Sequence, residues 1–207
     1  MSLAEQLVDR TLADRHEAYS AEVRQLIDAA YRVIATTGHL DPPIRAILAE
    51  ANLSNPAFYR HFRGKDELFL VMLDEGRRRL VDYLDKRTAA VIEASPGDKD
   101  APVAEWVRGV LAQARDGEAA RRTRPFVTEV DRLHDRFPEE QATSEAQLVA
   151  QLAGLLGERS AWAETVYALV FGELARHLRA DTPPSGAEVE RLVGFVLAGI
   201  TADPDKR

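Results

Sequence analysis

Apolar residues recur at offsets of three and four along almost the whole chain, and no stretch alternates with a period of two long enough to suggest a strand. Val23, Leu26, Ile27, Ala30, Tyr31 and Ile34 predict a helix from Ala21 to Thr37, ended by Gly38. Ile44, Ile47, Leu48 and Ala51 predict a shorter one, opened by Asp41-Pro42-Pro43. A stub from Asn55 to Phe62 follows. Leu68, Val71, Met72, Leu80, Leu84 and Val91 then carry a long helix from Lys65 to Ala94, which Ser95-Pro96-Gly97-Asp98 ends. The remainder predicts five further helices, at about 101–116, 118–136 with a break at Pro125, 142–157, 160–179 and 186–201, punctuated by Pro138 and by Thr182-Pro183-Pro184-Ser185-Gly186. The fold class is all-α, with about nine helices.

The stub is specified at both ends. Ser54 or Asn55 can cap it, and Pro56 falls in the first turn, where an N–H has no helical partner to lose. Phe58 and Phe62, four apart, can point together into a core, which leaves Asn55, Tyr59, Arg60 and His61 to face outward. Gly64 breaks the chain, and Lys65-Asp66-Glu67 opens the next helix with acidic groups in its first turn. A short polar-capped helix of this kind, preceded by two helices that can share one small core, is how a helix-turn-helix presents its recognition helix. Tyr59, His61, Lys65 and the N–H groups at the new helix start are donors of the kind that grip phosphate oxygens.

Gly38, Ile47, Ala51, Ser54, Phe58, Tyr59, His61, Phe62, Lys65 and Leu68 fall without a gap on the pattern of a known family: the segment resembles the DNA-binding region of the TetR family of one-component transcriptional regulators. The chain departs from that pattern in having Pro42-Pro43 where threonines commonly open the second helix, Leu48 for the usual Ala, Asn52 for the usual turn Gly and Gly64 for the common Ser cap. The resemblance implies an N-terminal three-helix DNA-binding head (residues 20–66) after an extension (1–19), and a larger helical ligand-binding and dimerisation domain (67–207). It also implies a homodimer formed through the last two helices, double-stranded DNA as partner and a small-molecule effector of unknown identity. On this reading Asn55, Ala57 and Arg60, with Arg45 from the preceding helix, meet base edges, and the Pro56 ring meets a thymine methyl. Tyr59, His61 and Lys65 hold phosphates, next to the Ser54 cap.

Composition narrows the picture. A net charge of −7 argues against a protein that coats DNA without selectivity. The excess is unevenly placed: residues 1–65 balance 8 Lys/Arg against 8 Asp/Glu, so the negative surplus belongs to the rest of the chain. Between 42 and 65, Arg45, Arg60, Arg63 and Lys65 face only Glu50. The first 19 residues carry more acid than base, so a frayed or docked extra helix is expected there and not a basic arm for the minor groove. Without cysteine there are no disulfides or thiolate metal sites. No secretory leader and no apolar run of membrane-spanning length is read, so a cytoplasmic protein without membrane association is expected.

Chemistry elsewhere is thin. Asp131, His134, Asp135, Glu173 and His177 are the residues worth considering, and none has the spacing of a metal or acid–base site. No catalytic residue, metal or cofactor is expected. Glu173 and His177, at i and i+4 on a face shared with Val166 and Val170, read as a partner-satisfied polar contact at an interface. Trp106, Phe126, Trp162, Tyr167 and Phe171 could line an effector cavity, and each is equally at home as core. Val166, Leu169, Val170 and Leu174, with Val189, Leu192, Val193, Val196, Leu197 and Ile200, make two apolar stripes suited to a dimer interface, with Gly172, Gly194 and Ala198 allowing close approach. The expected function is a ligand-responsive regulator, a repressor binding a palindromic operator. The alternative is a helical small-molecule-binding protein whose DNA contact has lapsed.

Overall fold

In the computed structural model, residues 3–37 and 41–201 are described, with side chains from Ser20 onward apart from Thr128. Among them are nine α-helices and no strand: α1 (Leu3–Thr37), α2 (Ile44–Ala51), α3 (Asn55–His61), α4 (Lys65–Ala94), α5 (Ala101–Arg115), α6 (Gly117–Arg136), α7 (Pro138–Leu156), α8 (Ala163–Ala180) and α9 (Gly186–Thr201). A 3-10 stretch, Gly157–Trp162, joins α7 to α8. The chain divides into two compact units, Met1–Met72 and Leu73–Arg207, and α4 contributes to both.

Three helix boundaries differ from the periodicity. Residues 3–20 continue α1 and form no separate helix. Pro125 does not break α6, which runs through it to Arg136. Pro138 opens α7 as a first-turn proline four residues earlier than expected, because its missing N–H is no loss there. Gly38, expected to end the first helix, lies outside the described residues.

In the first unit the buried stripe of α1 includes Leu26, Ile27, Ala30, Val33 and Ile34. It packs on Ile47, Leu48 and Ala51 of α2 and is tied there by Gln25, whose Nε2 donates to the Ala51 carbonyl at 2.6 Å. In the second unit α5 is central: it packs on α6, α7, α8 and α9 through a face that includes Trp106, Val107, Val110 and Leu111. Gly109 lets α4 lie close, since a Cβ there would stand 2.5 Å from Leu84 Cδ2. Trp106 Nε1 donates to Gln151 Oε1 at 3.0 Å, and Gln151 Nε2 donates onward to the Val81 carbonyl at 2.9 Å and Asp85 at 2.7 Å, so the indole is satisfied core and links α4, α5 and α7. Phe126 is also buried, whereas Trp162, Tyr167 and Phe171 are half-buried.

Candidate nucleic-acid interface

The turn between α2 and α3 is built by one residue in an unusual conformation. Asn52 adopts the left-handed region (φ 51°, ψ 43°), and the Leu53 N–H reaches back to the Leu48 carbonyl at 3.0 Å, closing α2. Ser54 is the N-cap of α3. Its Oγ accepts from the Ala57 N–H at 3.4 Å, and Pro56 occupies the first turn. Because that bond is long, Ser54→Ala should cost about 0.5 kcal/mol, the low end for a cap, read as a shift in the urea midpoint of the head. A loss beyond about 2 kcal/mol would mean that Ser54 does more than cap.

Packing fixes which side of α3 faces out. Phe58 is fully buried, 5.5 Å from the Phe62 ring, and Ala57 lies beside it in the core. Asn55, Pro56, Tyr59 and Arg60 are exposed as a consequence, Tyr59 at 59%. Arg45 on α2 is exposed too. Ala57, expected to offer its methyl to a base, is 6% exposed and belongs to the core of the head.

His61 departs from the outward orientation expected of it. Its side chain is only 1% exposed, and its Nε2 lies 2.5 Å from Glu22 Oε2 of α1. An imidazole so placed fastens α3 to α1 and does not present a donor to a phosphate. Arg60 Nη2 donates to the same carboxylate, at 2.8 Å to Oε2 and 3.1 Å to Oε1. The hydrogen bonds from His61 and then Arg60 hold Glu22 below its ordinary carboxylate value of 4.5. These contacts are therefore complete above pH 4.5 and are lost as the pH falls through the lowered value. Lys65 is paired with Asp41, and Glu67 turns back so that its Oε2 accepts from the Arg63 N–H at 2.5 Å, bracing the start of α4.

Glu22 is the residue of this site that sequence patterning misses, because acid on the polar side of a helix gives no signal by spacing. Elsewhere, Glu173 does not pair with His177 but holds Arg176 at 2.7 Å. His177 is buried, with Nε2 accepting from Arg176 at 2.8 Å and Nδ1–H donating to the Thr182 carbonyl at 2.8 Å, which closes the end of α8. His134 is exposed. Among the described residues there is no group of three His, Cys, Asp or Glu suited to a metal ion, and no helix long and apolar enough to cross a membrane.

Comparison with known proteins agrees with this geometry. Residues 26–72 match the family described as bacterial regulatory proteins, tetR family. The HTH-type transcriptional regulator BetI of Brucella canis is 27% identical over 199 residues, covering 87% of this chain and 92% of its own. BetI of Brucella anthropi is 29% identical over 199 residues, covering 87% and 94%. Among solved structures, a transcriptional regulator assigned to the TetR family from Mesorhizobium loti superposes with a TM-score of 0.67 at 18% identity, covering 89% of this chain and 96% of that one. The fatty acid degradation regulator FadR of Bacillus halodurans superposes at 0.57 and 18% identity, covering 90% and 97%. With a capped α3 carrying its polar face outward from a buried Phe58, a match to the tetR family over residues 26–72 and likeness along most of its length to such regulators, this chain is similar to the DNA-binding transcriptional regulators of the TetR family.

Proposed function

We propose that the protein is a homodimeric repressor that works in the cytoplasm, binds a palindromic operator and leaves it when a small molecule binds the second unit. The observation that carries the reading is the exposed face of α3, where Asn55, Pro56, Tyr59 and Arg60 stand on a helix fixed by a buried Phe58. The division of labour is residues 20–66 for DNA, 67–207 for effector and dimer, and 1–19 as an extension. Two copies of α3 enter the major groove at half-sites about one helical turn apart. Arg60 and Arg45 read guanine and Asn55 reads adenine. Tyr59 and Lys65 hold phosphate, Lys65 exchanging Asp41 for it. Arg60 likewise exchanges Glu22 for a base, a like-for-like swap of acceptors in which little hydrogen bonding is lost.

The chain crosses between the units as one helix, α4, which makes it the natural carrier of an effector signal. A tenfold change in operator occupancy needs a coupling of only about 1.4 kcal/mol. The first experiment is selection of bound fragments from a genomic DNA pool with wild type and with a Tyr59→Ala, Lys65→Ala double variant. Enrichment of a palindrome by wild type alone supports the proposal. Enrichment by neither at low salt, with the protein folded, sinks it and favours a ligand-binding protein without DNA contact. On the selected operator, Arg60→Ala should cost about 1–3 kcal/mol and relax base preference, whereas Lys65→Ala should weaken all sites alike and flatten the salt slope by about one. Identical behaviour of the two variants would refute this assignment of roles.

A further inference from the structure

The second unit buries a polar knot that the DNA-binding reading does not use. Arg77 of α4 is 8% exposed, Gln141 of α7 is fully buried and Ser144, one turn further on, is 5% exposed. Arg77 Nη1 donates to Gln141 Oε1 at 2.5 Å, and Nη2 donates to Glu145 Oε1 at 2.8 Å. A guanidinium has only donors, so it fixes which end of the Gln141 amide is oxygen. The amide Nε2 is thereby left as a buried donor without a partner, and Ser144 Oγ is buried without one as well. Buried polar groups are nearly always paired, and two on one helix face, three residues apart, amount to a standing cost to the fold.

The surroundings of these two groups define what they would take. Arg77 is already neutralised by Glu145, so the knot has no charge to offer an anion. Gln141 Nε2 can only donate, which suits an oxygen acceptor over a cation, and the Ser144 hydroxyl can donate as well. Tyr167 of α8 is close enough for its phenol to feel both Glu145 and Arg77, and burial with the Glu145 charge pushes it up to about 12, so it remains a protonated donor. Its ring stacks on Phe171 at 4.4 Å, and Phe171 lies 6.3 Å from Trp106, so the three rings form a row of aromatic surface.

We propose that Gln141 Nε2 and Ser144 Oγ are the polar end of the effector site, which takes a small uncharged molecule carrying a carbonyl-type oxygen on an aromatic or aliphatic body. The inference rests on the ligand-responsive reading above. The oxygen accepts from Gln141 and Ser144, and the body lies along Tyr167 and Phe171. Binding reaches α4 through Arg77, which Gln141 already holds, so the ligand biases the helix that continues into the first unit.

Three probes of one shape test the class: benzamide, benzoate and benzylammonium, titrated into the full-length protein while thermal unfolding is followed. Benzamide at ten times its Kd should raise the midpoint by about 3–5 °C, with the two ions giving no shift. Ser144→Ala breaks no bond in the free protein; it should leave the midpoint unchanged or higher and weaken benzamide about fivefold, and Gln141→Leu should weaken it more than tenfold. The proposal is overturned by the absence of a benzamide shift, by equal shifts from all three probes, or by benzamide affinity untouched in both variants. It is also overturned if Ser144→Ala lowers the midpoint, the behaviour of a hydroxyl that serves the fold alone. Operator binding measured in parallel separates the failures: wild type that binds operator but no probe loses only this inference, whereas wild type that binds no operator loses the regulator reading.

Discussion

Phe195→Glu is expected to give a folded monomer whose operator affinity is about 10²–10⁴-fold below that of wild type, because in the proposed dimer two heads would bind two half-sites with the second contact made intramolecular. Phe195 is 67% exposed on α9, the largest exposure of any described big apolar side chain. The opposite face of that helix is already committed: Val189, Val193, Val196 and Ile200 are buried in their own subunit, and α9 is held on α5 by Arg108, which donates to both oxygens of Glu190 at 2.8 and 2.7 Å. Gly194 and Gly199, like Gly172 of α8, have open space where a Cβ would stand. A bare aromatic flanked by glycines on the last helix is what a partner helix would cover. Burial of one phenylalanine is worth roughly 1.5–3 kcal/mol, and a two-fold axis counts it twice. A carboxylate buried there instead also meets its own symmetry copy. Sedimentation velocity decides the matter: an intact dimer for Phe195→Glu removes the interface from this face of α9.

The choice of residue for that experiment shows what periodicity supplies and what it leaves open. The stripes on α8 and α9 suggest a dimer interface, but Val166, Val170, Leu174, Val189, Val193, Val196 and Ile200 are buried within their own chain, so these positions serve its core. Periodicity does not separate the side that faces α5 from the side that would face a second subunit, since both are apolar. Val193, central to the stripe, is 4% exposed within its own chain, so a charge there would damage the subunit before it tested any interface. The head was legible for the opposite reason. Its cap, its first-turn proline, its left-handed Asn52 and the Phe58/Phe62 pair are local signals at fixed offsets, and the backbone follows each of them. His61 was misjudged because its partner Glu22 is 39 residues away, and contacts across helices leave no trace in spacing. For the same reason the Arg77, Gln141 and Ser144 knot was invisible: one arginine, one glutamine and one serine on polar helix faces look solvated until α4 and α7 are brought together. Pro125 and Pro138 mark a third limit, for proline restricts its own φ and donor and does not decide whether a helix tolerates or begins at it.

Phe58→Ala should remove about 3–5 kcal/mol from the head, comparable with the whole stability of a unit of that size. Phe58 is fully buried, with Tyr59 edge-on at 5.3 Å and Phe62 at 5.5 Å, so the cavity opens directly beneath the outward face of α3. A small head has few other buried side chains with which to fill it. Operator binding should therefore be lost at any salt concentration, even though no group offered to DNA has been altered. The second unit has its own core, built around α5, and should keep the molecule dimeric and able to take ligand. Tyr59→Ala is the control, because an exposed ring contributes little to the fold: its stability should stay within about 0.5 kcal/mol of wild type while DNA affinity falls. Hydrogen exchange over residues 26–72 separates the two variants, with protection lost across the segment in Phe58→Ala and kept in Tyr59→Ala. If Phe58→Ala retained protection and operator affinity, the recognition helix would be held by something other than its core, and the account of why α3 faces outward would have to be abandoned.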